Sequence, residues 1–190
     1  MASEVDICNS ALLQLGEDTI LSLDDDSKKA RLCKRFYPDV RDAVLRAYPW
    51  RCAIQFQSLG LLAGSDVITG TDFAYTFQLP VSPYCLRALL VNADRTVAWE
   101  VVGRKLLCDE SSVNLKFIAR LTDPGLFDSL LIDSIACRLA QMIAYPVTGN
   151  ATLPKTMWDL YQQKLSEARS IDSMEGYVDE WQSDDLLDVR

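Results

Sequence analysis

Histidine is absent from this 190-residue sequence, which removes several classes of catalytic site. Ser-His-Asp and Cys-His nucleophilic sites need an imidazole base, so the chain cannot build either one from its own residues. Zinc sites usually combine histidine with clustered cysteines, and no two cysteines here form a C-x-x-C pair. We expect buried free thiols instead, because a long chain with an ample core needs no disulfides. The cysteines are Cys8, Cys33, Cys52, Cys85, Cys108 and Cys137.

Targeting and membrane segments are also missing. The N-terminus, MASEVDIC, lacks the basic and apolar regions of a signal peptide. No apolar run reaches the ~20 uncharged residues of a membrane helix. The most apolar stretch, residues 126–146, contains Asp128, Asp133 and Arg138. We therefore predict a buried core helix at this stretch, no membrane contact and a reducing compartment.

The sequence contains no motif of a cofactor or metal site. GLLAGSDVITG, residues 60–70, lacks the lysine that completes a phosphate-binding loop. The run Asp24-Asp25-Asp26 lacks the alternating ligands, the glycine and the distal glutamate of a calcium-binding loop. We expect no enzyme activity, no cofactor and no metal. One enzymatic alternative stays open, in which Glu100, Asp109 and Glu110 pair across a hairpin to hydrolyse glycans.

The spacing of apolar residues and the positions of glycine, proline and capping residues predict an α+β fold. It has a bundle of about four helices and an inserted antiparallel β-sheet segment. Residues 1–49 contain two helices, the first opened by a Ser3–Asp6 capping box and stopped by Gly16. Residues 50–121 contain five or six short strands, beginning with the alternation from Trp50 to Phe56. Residues 122–175 contain two helices, the first capped by Asp123 and the second spanning about 153–173. Residues 176–190 form an acidic tail.

The second predicted helix contains a proline and most of one charge cluster. Its segment, CKRFYPDVRDAVLRAYPWRC, keeps apolar positions at spacings of 4, 3, 4 and 3 straight across Pro38. Two separate helices would not keep that phase, so we predict one helix kinked at Pro38 and ended by Pro49. Eight of the nineteen basic residues lie between positions 28 and 51. They are Lys28, Lys29, Arg31, Lys34, Arg35, Arg41, Arg46 and Arg51.

These bases allow three interpretations. The helix could bind nucleic acid through phosphate contacts, although the net charge of −8 and the sequence pI near 4.5 oppose it. It could be a solvated face with internal pairs such as Asp42 with Arg46. It could also be an assembly surface that meets the acids of a neighbouring protomer or partner, with Lys28, Arg31, Lys34 and Arg35 as candidate contacts.

The C-terminal stretch is acidic. Residues 172–190 hold seven acids and one base, among large apolar side chains. The segment is either a solvated tail or one that orders on a partner. Its candidate contact residues are Tyr177, Trp181, Leu186 and Leu187.

Several blocks of this sequence resemble a known family in their order along the chain. Residues 7–53, which begin ICNSALLQLGEDT and end LRAYPWRCA, resemble the N-terminal signature of the tail tubular protein A family. The blocks FQLPVSPYCLRAL, WEVVGRKLLCD and MWDLYQQKLSEAR follow in the same order, and the resemblance covers residues 4–173. These proteins are head-to-tail adaptors of short-tailed phages and related prophages.

The resemblance implies a structural virion protein made in the host bacterial cytoplasm. It implies a dodecameric ring that binds the portal protein and receives a downstream tail tube or nozzle protein. Some such proteins are monomers before assembly. DNA would pass through the ring without specific binding, which the acidic composition favours. The expected location is the neck of the virion. Apart from the resemblance, we hypothesise that the acidic tail docks on the portal or a neighbouring protomer, because Trp181, Leu186 and Leu187 lie among its acids.

Overall fold

The chain forms two helices, then a β part of six strands, then two more helices. The computed structural model describes residues 2–174, apart from the side chain of Ser65. The helices are α1 (Glu4–Gln14), α2 (Lys28–Ala47), α3 (Ser129–Thr148) and α4 (Leu153–Met174). The strands are β1 (Ile54–Ser58), β2 (Tyr75–Gln78), β3 (Cys85–Val91), β4 (Trp99–Val102), β5 (Lys105–Cys108) and β6 (Asn114–Ala119). The predicted α+β fold class is confirmed.

The predicted acidic tail, residues 176–190, lies outside the described residues. Its four candidate contact residues therefore have no described environment. They are Tyr177, Trp181, Leu186 and Leu187.

The helix starts follow the predicted capping chemistry. Ser3 and Asp6 form the reciprocal capping box of α1, with backbone-to-side-chain distances of 3.1 and 2.9 Å. Ser27 caps α2 by accepting a hydrogen bond from the backbone N–H of Ala30 at 3.1 Å. The helix then continues through Pro38, as its apolar phase predicts, and ends before the extended residue Tyr48.

Two predicted boundaries are wrong. The alternation that begins at Trp50 does not start a strand, because residues 51–53 form a 3₁₀ turn and β1 begins at Ile54. Asp123 caps a 3₁₀ turn at Pro124–Leu126, and α3 begins later with Asp128 as its cap. In both places a single 3₁₀ turn separates the sheet from the adjoining helix, and turn residues alone do not distinguish the two helix types.

The strands form two antiparallel sheets rather than the single predicted sheet. The first sheet has the order β1-β6-β3, and the second has the order β2-β5-β4. The first and last strands of the β part are neighbours, with Ile54 opposite Ile118. The β part therefore leaves and rejoins the helical part at one place.

The molecule has three layers, with the first sheet between the helices and the second sheet. Ile118 and Leu86 of the first sheet belong to the helical core. Phe117 and Leu115 of the same sheet pack instead with Phe77 and Leu106 of the second sheet. Because successive strand residues point to opposite faces, β3 and β6 take part in both cores.

Helix α3 is long and apolar enough to cross a membrane by length and composition, but half of its apolar window is buried inside the fold. Its buried residues include Leu131, Ile135, Leu139 and Ile143, which pack in the helical core. That packing agrees with the predicted core helix.

The six cysteines are free thiols, and all except the half-buried Cys52 are buried. Hydrogen bonding with Cys33 and burial both raise the pKa of the Cys8 thiol. Burial likewise raises the pKa of Cys52 and Cys137. These side chains therefore act as small apolar groups at neutral pH.

Candidate interaction surfaces

Three exposed bases of α2 are paired with carboxylates of the same chain. Lys34 Nζ lies 2.6 Å from Asp24 Oδ1, and Arg35 Nη1 lies 2.7 Å from Asp39 Oδ2. Arg31 pairs in the same way with Asp26. All of these side chains are largely exposed, so each pair contributes little to stability. Exposed pairs this weak can exchange one carboxylate for another at little cost.

The three aspartates before α2, Asp24 to Asp26, contact two bases of α2 and two backbone N–H groups. Asp24 and Asp26 neutralise two of the bases, and the hydrogen bond from Lys34 lowers the pKa of Asp24. The Asp25 carboxylate accepts hydrogen bonds from the backbone N–H groups of Leu21 and Ser22 at 2.9 and 3.1 Å. The run is thus a partner of the basic helix and a loop anchor.

The remaining bases of α2 fix it to other elements. Lys29 Nζ lies 2.7 Å from Glu17 Oε2, and Lys28 donates to the backbone carbonyl of Pro146 at the end of α3.

The predicted pair of Asp42 with Arg46 is wrong. Asp42 pairs instead with Arg41 and Arg120.

Helices α2 and α3 share an outer face that combines charge with exposed apolar groups. A shallow groove of about 160 Å³ between them is lined by Phe36 and Asp39 of α2 and by Met142 of α3, among others. Met142 and Tyr145 are 38% and 59% exposed. We call this the α2–α3 face, defined by Lys28, Arg35, Phe36, Asp39, Met142 and Tyr145. Exposed large apolar groups beside weak ion pairs are typical of surfaces that bind other proteins.

A second surface, the arginine cleft, lies where α2, β3 and the turn between β4 and β5 meet. It has a volume of about 670 Å³. We define it by its charged lining residues and one aromatic side chain. These are Asp42, Arg46, Tyr84, Arg87, Arg104 and Arg120.

Two guanidinium groups of the arginine cleft stack on one aromatic ring. The Cζ atoms of Arg104 and Arg120 lie 3.9 and 4.2 Å from the ring centroid of Tyr84. Arg104 also donates to the carbonyls of Cys85 and Pro80 at 2.6 and 2.5 Å. Arg120 Nε lies 2.6 Å from Asp42 Oδ2, without the alignment of a hydrogen bond.

The other two arginines of the cleft join the end of α2 to β3. A register shift between Cys85 and Arg87 leaves Leu86 without a partner residue on β6, as in a β-bulge. Arg46 donates to the Leu86 carbonyl, and Arg87 donates to the Arg46 carbonyl at 3.2 Å. The backbone therefore fixes these guanidinium groups without neutralising them.

The arginine cleft is strongly cationic in an acidic protein. It contains four guanidinium groups, and among the described residues Asp42 is the one acid in its lining. Each guanidinium has five N–H donors. The carbonyl contacts above use one donor of Arg46, one of Arg87 and two of Arg104. The cleft is thus built to hold carboxylate or phosphate oxygens.

Sequence reasoning missed this cleft, because three of its arginines lie in the β part and are far apart in sequence. Arg87, Arg104 and Arg120 show no local clustering. Arg87 interrupts the otherwise apolar strand block CLRALLV, whereas Arg104 lies in the turn before β5 and Arg120 follows β6.

The carboxylates of the glycan-hydrolysis alternative are surface groups. Glu100, Asp109 and Glu110 are exposed, and the Asp109 carboxylate accepts a hydrogen bond from the Ala74 backbone at 2.9 Å. No group of three or more metal-ligating side chains occurs among residues 2–174. That alternative stays a prediction from sequence.

A scan of the sequence against protein-family models found no match, and a search of curated proteins found none either. Adaptor-family membership is therefore a proposal, which depends on the ordered sequence blocks and on the surfaces described above.

Proposed function

We propose that this protein is a head-to-tail adaptor of the tail tubular protein A type, a structural virion protein. Copies would form a ring that joins the portal protein to the next tail component and extends the DNA channel. The observation that carries the proposal is the α2–α3 face, where the exposed Met142 lines one groove with Asp39, the carboxylate of the weak Arg35–Asp39 pair. A neighbouring protomer that meets this face can bury the apolar groups and exchange carboxylates with the bases.

The pairing of the α2 bases favours assembly over nucleic-acid binding. Lys34, Arg35 and Arg31 already lie against carboxylates of their own chain, which reduces the positive potential available to phosphates. A net charge of −8 further weakens phosphate binding and suits a channel through which DNA must slide.

The direct test is electron microscopy of the protein mixed with the portal assembly of its own genome. The proposal expects ring-shaped density added below the portal, and its absence at saturating protein would refute the adaptor role. The charge reversal Arg35→Glu should reduce ring formation. Lys164→Glu, which makes the same charge change at the partly exposed Lys164–Glu167 pair of α4, serves as the control.

The nucleic-acid alternative makes an opposite prediction in a mobility-shift assay. A DNA-binding helix would retard duplex DNA at low salt, and Arg31→Ala with Arg35→Ala would weaken the shift. The adaptor proposal expects no shift for either protein.

A further inference from the structure

The arginine cleft holds more positive charge than its one acid neutralises. Four arginines and one aspartate give its lining a net charge of +3, and within residues 2–174 no other charged side chain lines it. The carboxylate of Asp42 is also shared, because it lies 2.9 Å from Arg41 Nη2 and 2.6 Å from Arg120 Nε. The four guanidinium groups repel one another, and an anion that binds between them removes that repulsion.

The carboxylate nearest to the cleft in the second sheet belongs to β4 and faces away from it. Trp99 and Val101 both line the cleft. Because alternate residues of a strand point to opposite faces, Glu100 between them lies on the other face of β4. It therefore does not reduce the positive charge of the lining.

Neutral groups hold three of the four guanidinium groups in place. Arg46 donates to the Leu86 carbonyl, Arg87 donates to the Arg46 carbonyl, and Arg104 donates to two further carbonyls. A carbonyl fixes a guanidinium group but leaves its unit of charge uncompensated. The cleft thus keeps its charge for a ligand, and the prior ordering of its side chains lowers the free-energy cost of binding.

We propose that the arginine cleft binds the phosphate group of a small molecule. After the carbonyl contacts, N–H donors remain on Arg46, Arg87, Arg104 and Arg120. A phosphate group offers three acceptor oxygens and a charge of about −1.5 to −2, whereas a carboxylate offers two oxygens and a single charge. A phosphate therefore satisfies more donors and neutralises more of the lining, and a diphosphate neutralises more still.

The size of the cleft and the charge of the chain favour a small molecule over a macromolecule. A volume of about 670 Å³ lies within the range of small-molecule sites. Duplex DNA would bring many phosphates close to a chain of net charge −8, whereas a small anion brings only the charge that the cleft neutralises. Trp99 and Val101 provide an apolar wall for an organic part of the ligand. The site does not depend on the adaptor role.

Isothermal titration calorimetry of the full-length chain with inorganic pyrophosphate tests the site. We expect one pyrophosphate to bind per chain at physiological ionic strength. Arg46→Gln and Arg87→Gln should each weaken binding about tenfold or more, because each removes a charged hydrogen-bond donor. Arg35→Gln makes the same charge change at an exposed arginine of α2 outside the cleft, and it should leave the affinity unchanged. No binding, or equal weakening by all three variants, would overturn the proposal.

NMR of the unmodified chain locates the bound anion without any substitution. Pyrophosphate should shift the Nε–Hε signals of Arg46, Arg87, Arg104 and Arg120, and it should leave that of Arg35 in place. This result would support the site even if a cleft variant failed to fold. Binding by calorimetry with unchanged signals from the cleft arginines would overturn it.

A comparison of ligands identifies the source of the phosphate. Tighter binding of ADP than of pyrophosphate, with a shift of the Trp99 indole signal, would support an organic phosphate. Equal affinity would support a free anion in the same site. A glutamate oligomer of equal charge that binds more tightly than both would overturn the assignment to phosphate. Tighter binding of duplex DNA than of both would overturn the assignment to a small molecule.

Discussion

The indole Nε1 of Trp50 donates a hydrogen bond of 2.9 Å to the backbone carbonyl of Val44. Val44 belongs to the last turn of α2, whose carbonyls have no partner within the helix. Tyr48 is extended and Pro49 cannot continue the helix, so the chain turns back and places the indole under that turn. Trp50 is 1% exposed, which makes it both a core residue and a C-terminal cap.

Replacing the indole while keeping an aromatic ring should measure this cap. Trp50→Phe leaves the Val44 carbonyl buried without its donor, and we expect a loss of about 1–3 kcal/mol in the free energy of unfolding. Trp50→Ala also creates a cavity and should cost about 3–5 kcal/mol. Urea denaturation followed by circular dichroism measures both. A Phe variant as stable as the parent would show that the bond contributes nothing.

Two aspartates of α2 should differ sharply in their importance. Asp42 pairs with the buried Arg41 and with Arg120, so Asp42→Asn leaves buried positive charge unbalanced and should cost about 3–5 kcal/mol. Asp39→Asn removes one exposed partner of Arg35 and should cost at most about 1 kcal/mol. Denaturation of the two variants under identical conditions checks the order. Equal losses would contradict the assigned roles.

The proline inside α2 is exposed, and its ring removes one helical hydrogen bond. Pro38→Ala restores the N–H donor to Lys34 without disturbing a buried contact. We therefore expect the thermal midpoint to rise, with a gain of up to about 3 kcal/mol. If the variant is less stable, the packing of α2 on α3 requires a bend at this residue.

Acid should break the capping box of α1, because protonation of Asp6 removes its bonds with Ser3. Hydrogen bonds from Ser3 lower the pKa of Asp6 below its ordinary value. The cap is therefore complete above the pKa of Asp6 in the unfolded chain, and it is lost as the pH falls through the lower folded pKa. NMR titration of the Asp6 carboxyl should show the lowered pKa, and Ser3→Ala should return it toward the ordinary value. An unchanged titration in that variant would mean that Ser3 is not the cause.

Local signals predicted the helices well. The apolar phase across Pro38, the stop at Pro49 and the Ser3 cap each depend on residues within one or two turns. The chain reproduces all three. The alternation predicts too early a start for β1, because Trp50 is buried in the helical core as the cap on Val44 and does not belong to a strand.

Tertiary relationships were beyond local patterns. Asp42 pairs with the adjacent Arg41 and with Arg120 at the far end of the β part, and not with Arg46 one turn away. The two-sheet arrangement depends on which strands pair, and the alternation of each strand is the same in either arrangement. The arginine cleft follows from both of these facts, so no window of sequence reveals it.

The pairing of Ile54 with Ile118 gives the β part a stem of two strands. The two strands stay side by side whatever structure the residues between them adopt. The helical part therefore always connects to the β part through this pair of strands. Lengthening or shortening the loops between β1 and β6 would leave α2 and α3 in place. Such a chain can diversify its outer sheet as a separate module, while the scaffold that carries it stays under its own constraints.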